Sequence, residues 1–287
     1  MTVGGIEVDT QLSVGGLQVV LGSRRYAVVD DWNRVRLGHV SQLALDSSGK
    51  VYVFQRTGSP IVVLTQDGEL AGSWGTGEIS DPHGIFITRD DRVLLVDRDA
   101  HQVMIYDTRG RLQATIGERN RPRFGKPFNH PTDVAVAPSG DIYVCDGYGN
   151  AHVHRFAADG THRATWGGIG TGPGQFSTPH GIWVAADGRV LVADRENNRV
   201  QIFTPDGAYL AEWGDLYHPM DIWGDLDGTI FVTDQAPRLV AFAPSGEVLG
   251  RCKANATHSH GIWGDAAGNL YLCEYNGRLS KLARLAS

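Results

Sequence analysis

Short runs of alternating apolar and polar residues, each stopped by a glycine turn, recur along nearly all of this 287-residue chain. Successive side chains of a strand face opposite sides, so alternation with period two predicts β-strands rather than helices. The clearest stretch begins at Ile182-Trp183-Val184 and turns at Asp187-Gly188. It continues as Val190-Leu191-Val192-Ala193-Asp194 and Val200-Gln201-Ile202-Phe203, turns again at Asp206-Gly207, and ends at Tyr209 to Trp213-Gly214. This reads as a four-stranded antiparallel meander.

The same pattern repeats. Aligning the segments that begin Ser41-Gln42-Leu43, His83-Gly84-Ile85, Thr132-Asp133-Val134, His180-Gly181-Ile182, Met220-Asp221-Ile222 and His260-Gly261-Ile262 gives steps of 42, 49, 48, 40 and 40 residues. A fixed period near 40 with four strands per unit predicts an all-β fold, a six-bladed β-propeller forming one domain over residues 1–287. The blades fall at roughly 41–75, 81–117, 130–167, 179–214, 218–253 and 259–287. The last unit lacks a fourth strand after Ser280-Lys281-Leu282, whereas Tyr26 to Trp32 resembles the outer strand Tyr209 to Trp213. Residues 17–32 are therefore expected to complete blade 6 and close the ring. A parallel solenoid is the alternative, but its rungs are shorter and need no such exchange.

Composition narrows the function. Hydrophobic residues make up 41%, enough for a buried core, and 37 glycines with 12 prolines supply the turns. A net charge of −6 leaves no basic stripe, so no nucleic acid partner is expected. No apolar run of about 18 residues occurs, and Met1 to Gly16 has neither a basic nor an apolar leader region, so the expectation is a cytoplasmic protein with no membrane partner. Cys145, Cys252 and Cys273 are odd in number and lack metal spacing, which makes them small buried hydrophobes. Trp74, Trp166 and Trp213 end outer strands and read as blade packing.

Chemistry collects where the first strand of each unit begins. Ser41, His83, Thr132, His180, Met220 and His260 occupy this position, so histidine stands in every second unit. Alternate blades are related by about a third of a turn, and three imidazoles then converge on the axis. Three histidine ligands with one position left open are the usual make-up of a catalytic zinc site, although imidazole also suits nickel, copper and iron. The alternative is that each histidine caps its own blade.

The ends of the second strands share that mouth and offer Gln55-Arg56, Asp97-Arg98, Asp146-Gly147-Tyr148, Asp194-Arg195, Asp234-Gln235 and Glu274-Tyr275. An arginine near a metal is a forked donor for a carboxylate, and a phenol beside a cation can act as a base. Arg56, Arg98 and Arg195 have a second reading, as ion-pair partners of neighbouring aspartates. The strand-end aspartates Asp97, Asp146, Asp194 and Asp234 read as hydrogen-bonding anchors for turns. His152 and His154 read as a solvated face, His130 and His218 as blade caps, and His258, two residues before His260, as a substrate-facing group or an added ligand.

The residues carry a resemblance. Pro82-His83-Gly84, Ala100-His101-Gln102-Val103, Pro131-Thr132-Asp133-Val134-Ala135-Val136, Asp146-Gly147-Tyr148, Gly174-Gln175-Phe176-Ser177 before Pro179-His180, and Ala193-Asp194-Arg195-Glu196-Asn197 resemble the peptidyl-α-hydroxyglycine α-amidating lyases, six-bladed propellers of NHL-type repeats. The resemblance implies one catalytic Zn2+ on His83, His180 and His260, with Tyr148, Arg56 and Arg195 as catalytic residues. His258 and Arg98 would bind substrate, His258 standing where the family has a methionine. It implies cleavage of a carbinolamide C–N bond to an amide and glyoxylate or a related aldehyde. Gly261 replaces a family aspartate that serves a structural calcium, and Gly149 replaces a family cysteine, so neither that calcium nor the family's disulfides are expected. With no copper monooxygenase domain in the chain, the substrate is expected to be a small-molecule or peptide-like hemiaminal.

Two other classes remain open at this stage. One is a non-enzymatic NHL propeller that binds protein or RNA through a basic or aromatic patch, which is not evident here. The other is a calcium-dependent lactonase-like hydrolase using Asp133 and Asp221, which face the channel in this register but stand beside a histidine-rich ligand set.

Overall fold

A computed structural model describes residues 16–29, 32–254 and 257–286. The expected reading of Met1 to Gly16 falls, apart from Gly16, outside the described residues. The strands form six antiparallel sheets, five of four strands and one of five, arranged as the blades of a propeller. The only helical turn among the described residues is the three-residue 3-10 segment Arg195–Asn197.

The innermost strands are Val40–Leu45, Pro82–Ile87, Asp133–Val136, Pro179–Val184, Pro219–Gly224 and Ser259–Gly264. They are almost wholly buried, whereas outer strands such as Leu112–Gly117 are largely exposed. A strand buried on both faces needs apolar residues throughout, and one facing water needs only half as many, which is the gradient the repeat carries.

Closure differs in one detail from the expectation. Arg24–Val29 pairs with Leu279–Arg284 as the fourth strand of blade 6, with Tyr26 opposite Arg284 and Val29 opposite Lys281. Gln18–Leu21 then adds a fifth strand outside it. The strand ends at Val29, so Trp32 is not part of it; its indole is buried at the seam with blade 1, donating from Nε1 to the Gln66 carbonyl at 2.8 Å.

One contact repeats in every blade. The side chain ending the second strand accepts the backbone N–H of the residue three before the register position: Gly38 on Gln55 at 2.7 Å, Ser80 on Asp97 at 2.9 Å, Asn129 on Asp146 at 2.8 Å, Ser177 on Asp194 at 2.7 Å, Tyr217 on Asp234 at 3.1 Å and Thr257 on Glu274 at 3.0 Å. Asp97, Asp146, Asp194 and Asp234 are the turn anchors anticipated from sequence, and Gln55 and Glu274 do the same in blades 1 and 6; all stay buried because they meet fixed donors. Trp74, Trp166 and Trp213 lie against the turn glycines Gly110, Gly207 and Gly246 of the next blade. An added Cβ there would approach the indoles to 2.8, 2.5 and 2.3 Å.

The ring's closure therefore rests on buried contacts of the N-terminal strands. Tyr26 is fully buried, and Tyr26→Ala should cost about 3–5 kcal/mol in urea unfolding, as large aromatic truncations do. Val20→Ala, at a side chain 55% exposed on the outermost strand, should change stability little.

Candidate metal centre

His83, His180 and His260 are each the second residue of an innermost strand in blades 2, 4 and 6. Their rings meet on the axis, with centroids 5.0 Å apart for His83–His180, 5.5 Å for His83–His260 and 5.0 Å for His180–His260. One ring nitrogen from each lies within 4.8 Å of the other two.

The backbone fixes which nitrogen faces inward. His83 Nδ1 donates to the Thr132 carbonyl at 2.6 Å, His180 Nδ1 to Met220 at 2.8 Å, and His260 Nδ1 to Ser41 at 2.5 Å. A carbonyl can only accept, so each Nδ1 carries the hydrogen and each Nε2 is left with its lone pair. Each acceptor belongs to the next blade around the ring. Burial, and then the neighbouring imidazoles, hold His83 well below the usual imidazole value; burial followed by His260 does the same for His180. Burial and the Arg56 charge bring His260 down to about 4. Three neutral imidazoles pointing lone pairs at one point refuse a proton and suit a divalent cation.

The odd blades fill the layer beside the histidines. At the next register position they carry Gln42, Asp133 and Asp221, where the even blades carry Gly84, Gly181 and Gly261. The alternation is steric: a Cβ on Gly84 would lie 2.6 Å from Asp133 Oδ1, and one on Gly181 2.9 Å from the Asp221 Cα. Gln42 Oε1 accepts from Ile85 N at 2.6 Å, Asp133 Oδ2 from Ile182 N at 3.0 Å, and Asp221 Oδ2 from Ile262 N at 2.9 Å. Burial pushes both carboxyls upward, Asp221 to about 6. These side chains and the histidines line a small axial cavity with room for roughly one water-sized occupant. Further from the mouth, Phe86, Trp183 and Trp263 plug the axis, with centroids 5.2 to 6.0 Å apart. A register shift near the start of each even-blade innermost strand, as between Pro82 and Ile85, lets a histidine and the aromatic three residues later face the same axis.

Above the histidines stands Tyr148, its hydroxyl 3.2 Å from Nε2 of both His83 and His180. Arg195 Nη1 donates to that hydroxyl at 3.3 Å while Nη2 pairs with Glu196 at 2.7 Å. Arg98 lies over the Tyr148 ring at 5.4 Å and pairs with Asp81 at 2.7 Å and Asp99 at 2.9 Å. Arg56 Nε meets the Pro82 carbonyl at 3.1 Å and Asp81 at 3.3 Å; its two terminal nitrogens have no hydrogen-bond partner among the described residues. The ion-pair reading holds across blades only for Arg56, which meets Asp81 of blade 2; Arg98 pairs within its own blade and Arg195 pairs with a glutamate. His258 is exposed on the approach to blade 6 and makes no hydrogen bond or ring contact with the described residues of the site.

Two features escaped sequence reasoning. Tyr275 and His39, from blades 6 and 1, form a stacked pair at the mouth beside His260. His154, read as part of a solvated face, is fully buried: its Nε2 lies 3.2 Å from Asp146 Oδ2 and its Nδ1 2.7 Å from Thr165 Oγ1. Gln201 of blade 4 stands at the same strand position and also reaches its strand-end aspartate, at 3.0 Å.

Fold and repeat define a class: the chain is a six-bladed β-propeller carrying NHL repeats, and the NHL repeat family matches residues 128–156 and 176–203. Within that class it is similar in sequence to proteins named as amidating lyases. It is 31% identical over 217 residues to peptidyl-α-hydroxyglycine α-amidating lyase 1 of Drosophila melanogaster, covering 62% of this chain and 40% of the relative. It is 30% identical to human NHL repeat-containing protein 3, covering 72% of this chain and 60% of that protein. The chain therefore spans between two fifths and three fifths of the length of these relatives. A gluconolactonase of Xanthomonas campestris shares the fold at a TM-score of 0.71 and 16% identity, over 92% of this chain and 91% of that one.

The histidine electrostatics are measurable. In metal-free protein, NMR titration should show His260 gaining its proton near pH 4, and His83 and His180 well below the ordinary 6.5. The unfolded chain takes up these protons first, so the three groups' contribution to stability is full above pH 6.5 and is lost as pH falls from there. Replacing His83 with Gln should flatten that slope in pH-dependent thermal melts.

Proposed function

We propose that this protein is a zinc-dependent carbon–nitrogen lyase that cleaves a carbinolamide, an α-hydroxyglycine-like substrate, to an amide and glyoxylate or a related aldehyde. The observation that carries the reading is the convergence of three lone-pair-bearing histidine nitrogens, two of them 3.2 Å from one tyrosine hydroxyl. The names of its amidating-lyase relatives support the same chemistry. The residues fit the ion: three neutral nitrogen donors with tautomers locked by the backbone form the ligand set zinc takes when a coordination position stays open. All three thiols are free, which suits a reducing compartment such as the cytoplasm.

On this reading His83, His180 and His260 hold the ion, which when bound supplies Lewis-acid polarisation of a substrate oxygen. The ionised Tyr148 oxygen, its charge held by the hydrogen-bonded Arg195, accepts the proton of the substrate hydroxyl and passes it to the departing nitrogen. The O–H bonding pair becomes the second C–O bond of the aldehyde. The C–N pair leaves with nitrogen, which takes up a proton to give the amide. Arg56, with its fork unengaged, binds the substrate carboxylate, and Arg98 and His258 border the substrate's path.

A calcium-dependent hydrolase is less well supported. A hard cation wants six to eight oxygen ligands, yet the carboxylate and amide oxygens of the axial cavity are already taken by backbone N–H groups or Gln42, except for Asp133 Oδ1.

Purified without chelator, the protein should carry about one equivalent of zinc, and His83→Ala or His180→Ala should lose it while keeping the fold. Zinc-loaded protein should release glyoxylate from N-acyl-α-hydroxyglycines, and Tyr148→Phe should retain zinc but lose on the order of 10²–10⁴ in kcat. Zinc-loaded wild type that frees no glyoxylate from any such hemiaminal ends the proposal.

A further inference from the structure

The wall of the mouth across from Tyr148 is built at the seam where blade 6 meets blade 1. Tyr275 stands one residue beyond the strand Leu270–Glu274, with its ring 41% exposed. The His39 imidazole stacks on it, centroids 4.8 Å apart and planes at 21°. The Arg56 guanidinium carbon lies 5.3 Å from the same ring centroid. Imidazole, phenol and guanidinium thus form a ladder across the seam. The turn that carries Tyr275 has little slack: Gly277 adopts φ +91°, and a Cβ there would lie 2.4 Å from the Gly38 carbonyl oxygen.

The ladder supplies what Arg56 otherwise lacks. Its polar anchors, the Pro82 carbonyl and Asp81, both act on Nε, so they tether the guanidinium at its inner end. A group held only there can still swing its fork. An aromatic face beneath a guanidinium restricts that swing and adds cation–π attraction without consuming an N–H donor. Arg195 lies over the Tyr148 ring at 5.6 Å, but Glu196 and the Tyr148 hydroxyl also engage its terminal nitrogens directly.

We propose that Tyr275, braced by His39, is a positioning residue that holds the free fork of Arg56 toward a carboxylate at the metal site. The assignment of that carboxylate to the substrate rests on the lyase reading above. The ring face does the work, so the phenol oxygen is dispensable.

The test is calorimetric binding of glyoxylate to zinc-loaded protein, which needs no turnover. Tyr275→Leu should weaken binding roughly tenfold, the scale of one cation–π contact, and Tyr275→Phe, which keeps the face, should restore it. Combined with Arg56→Lys, Tyr275→Leu should add no further loss, because both changes act on one fork. Zinc content should be unchanged throughout. If Tyr275→Leu does not fold, His39→Ala removes the brace alone and should show the same non-additivity with Arg56→Lys. Wild type that binds no glyoxylate, additive losses, or a Tyr275→Phe as weak as Tyr275→Leu would overturn the proposal. Wild type that binds glyoxylate but releases none from a hemiaminal sinks the lyase reading alone.

Discussion

Everything at the axis depends on one hydrogen bond repeated three times, from an imidazole Nδ1 to a carbonyl of the next blade. It orients each ring, sets its tautomer and ties an even blade to the odd blade that follows. The odd blades return the tie, since Gln42, Asp133 and Asp221 each accept an N–H from the even blade beyond. Ser41 and Thr132 add their hydroxyls, both at 2.8 Å, to the carbonyls just before His83 and His180. The axial histidines and the ring's internal stitching are therefore one network, and a change that loosens the stitching also loosens the site.

The mouth sets these buried groups against a layer of paired charge. Arg56, Arg98 and Arg195 are offset by Asp81, Asp99 and Glu196, so the protein alone presents little net field there. Asp81 serves two arginines, with desolvation pushing its carboxyl up against the downward pull of both cations. Against a balanced rim, the Arg56 fork, without a hydrogen-bond partner among the described residues, is the natural contact for an anion.

Much of this was legible beforehand because a repeat converts sequence spacing into angle. Once the six units are aligned, His83, His180 and His260 must share a height and lie a third of a turn apart, and the structure places them so. The strand-end acids were legible for the same reason. What sequence could not supply were contacts that depend on radius or on local irregularity. The bulge at the start of the even innermost strands brings Phe86, Trp183 and Trp263 onto the histidine axis against simple alternation. Gln42 shares a layer with Asp133 and Asp221, but a neutral amide does not stand out among candidate ligands. Tyr275 and His39 lie at opposite ends of the chain and meet only because the ring closes. His154 sits on a strand whose alternation reads as solvent-facing, and its burial follows from an aspartate on the neighbouring strand.

The five-stranded closing blade has a consequence for how the centre comes into being. Its fourth and fifth strands precede blade 1, whereas the strand bearing His260 follows the innermost strands of the other five blades. No nascent intermediate short of blade 6 can offer all three nitrogens, however well its earlier blades have folded. The histidine triad is thus complete only in a chain whose blade 6 has closed against blade 1.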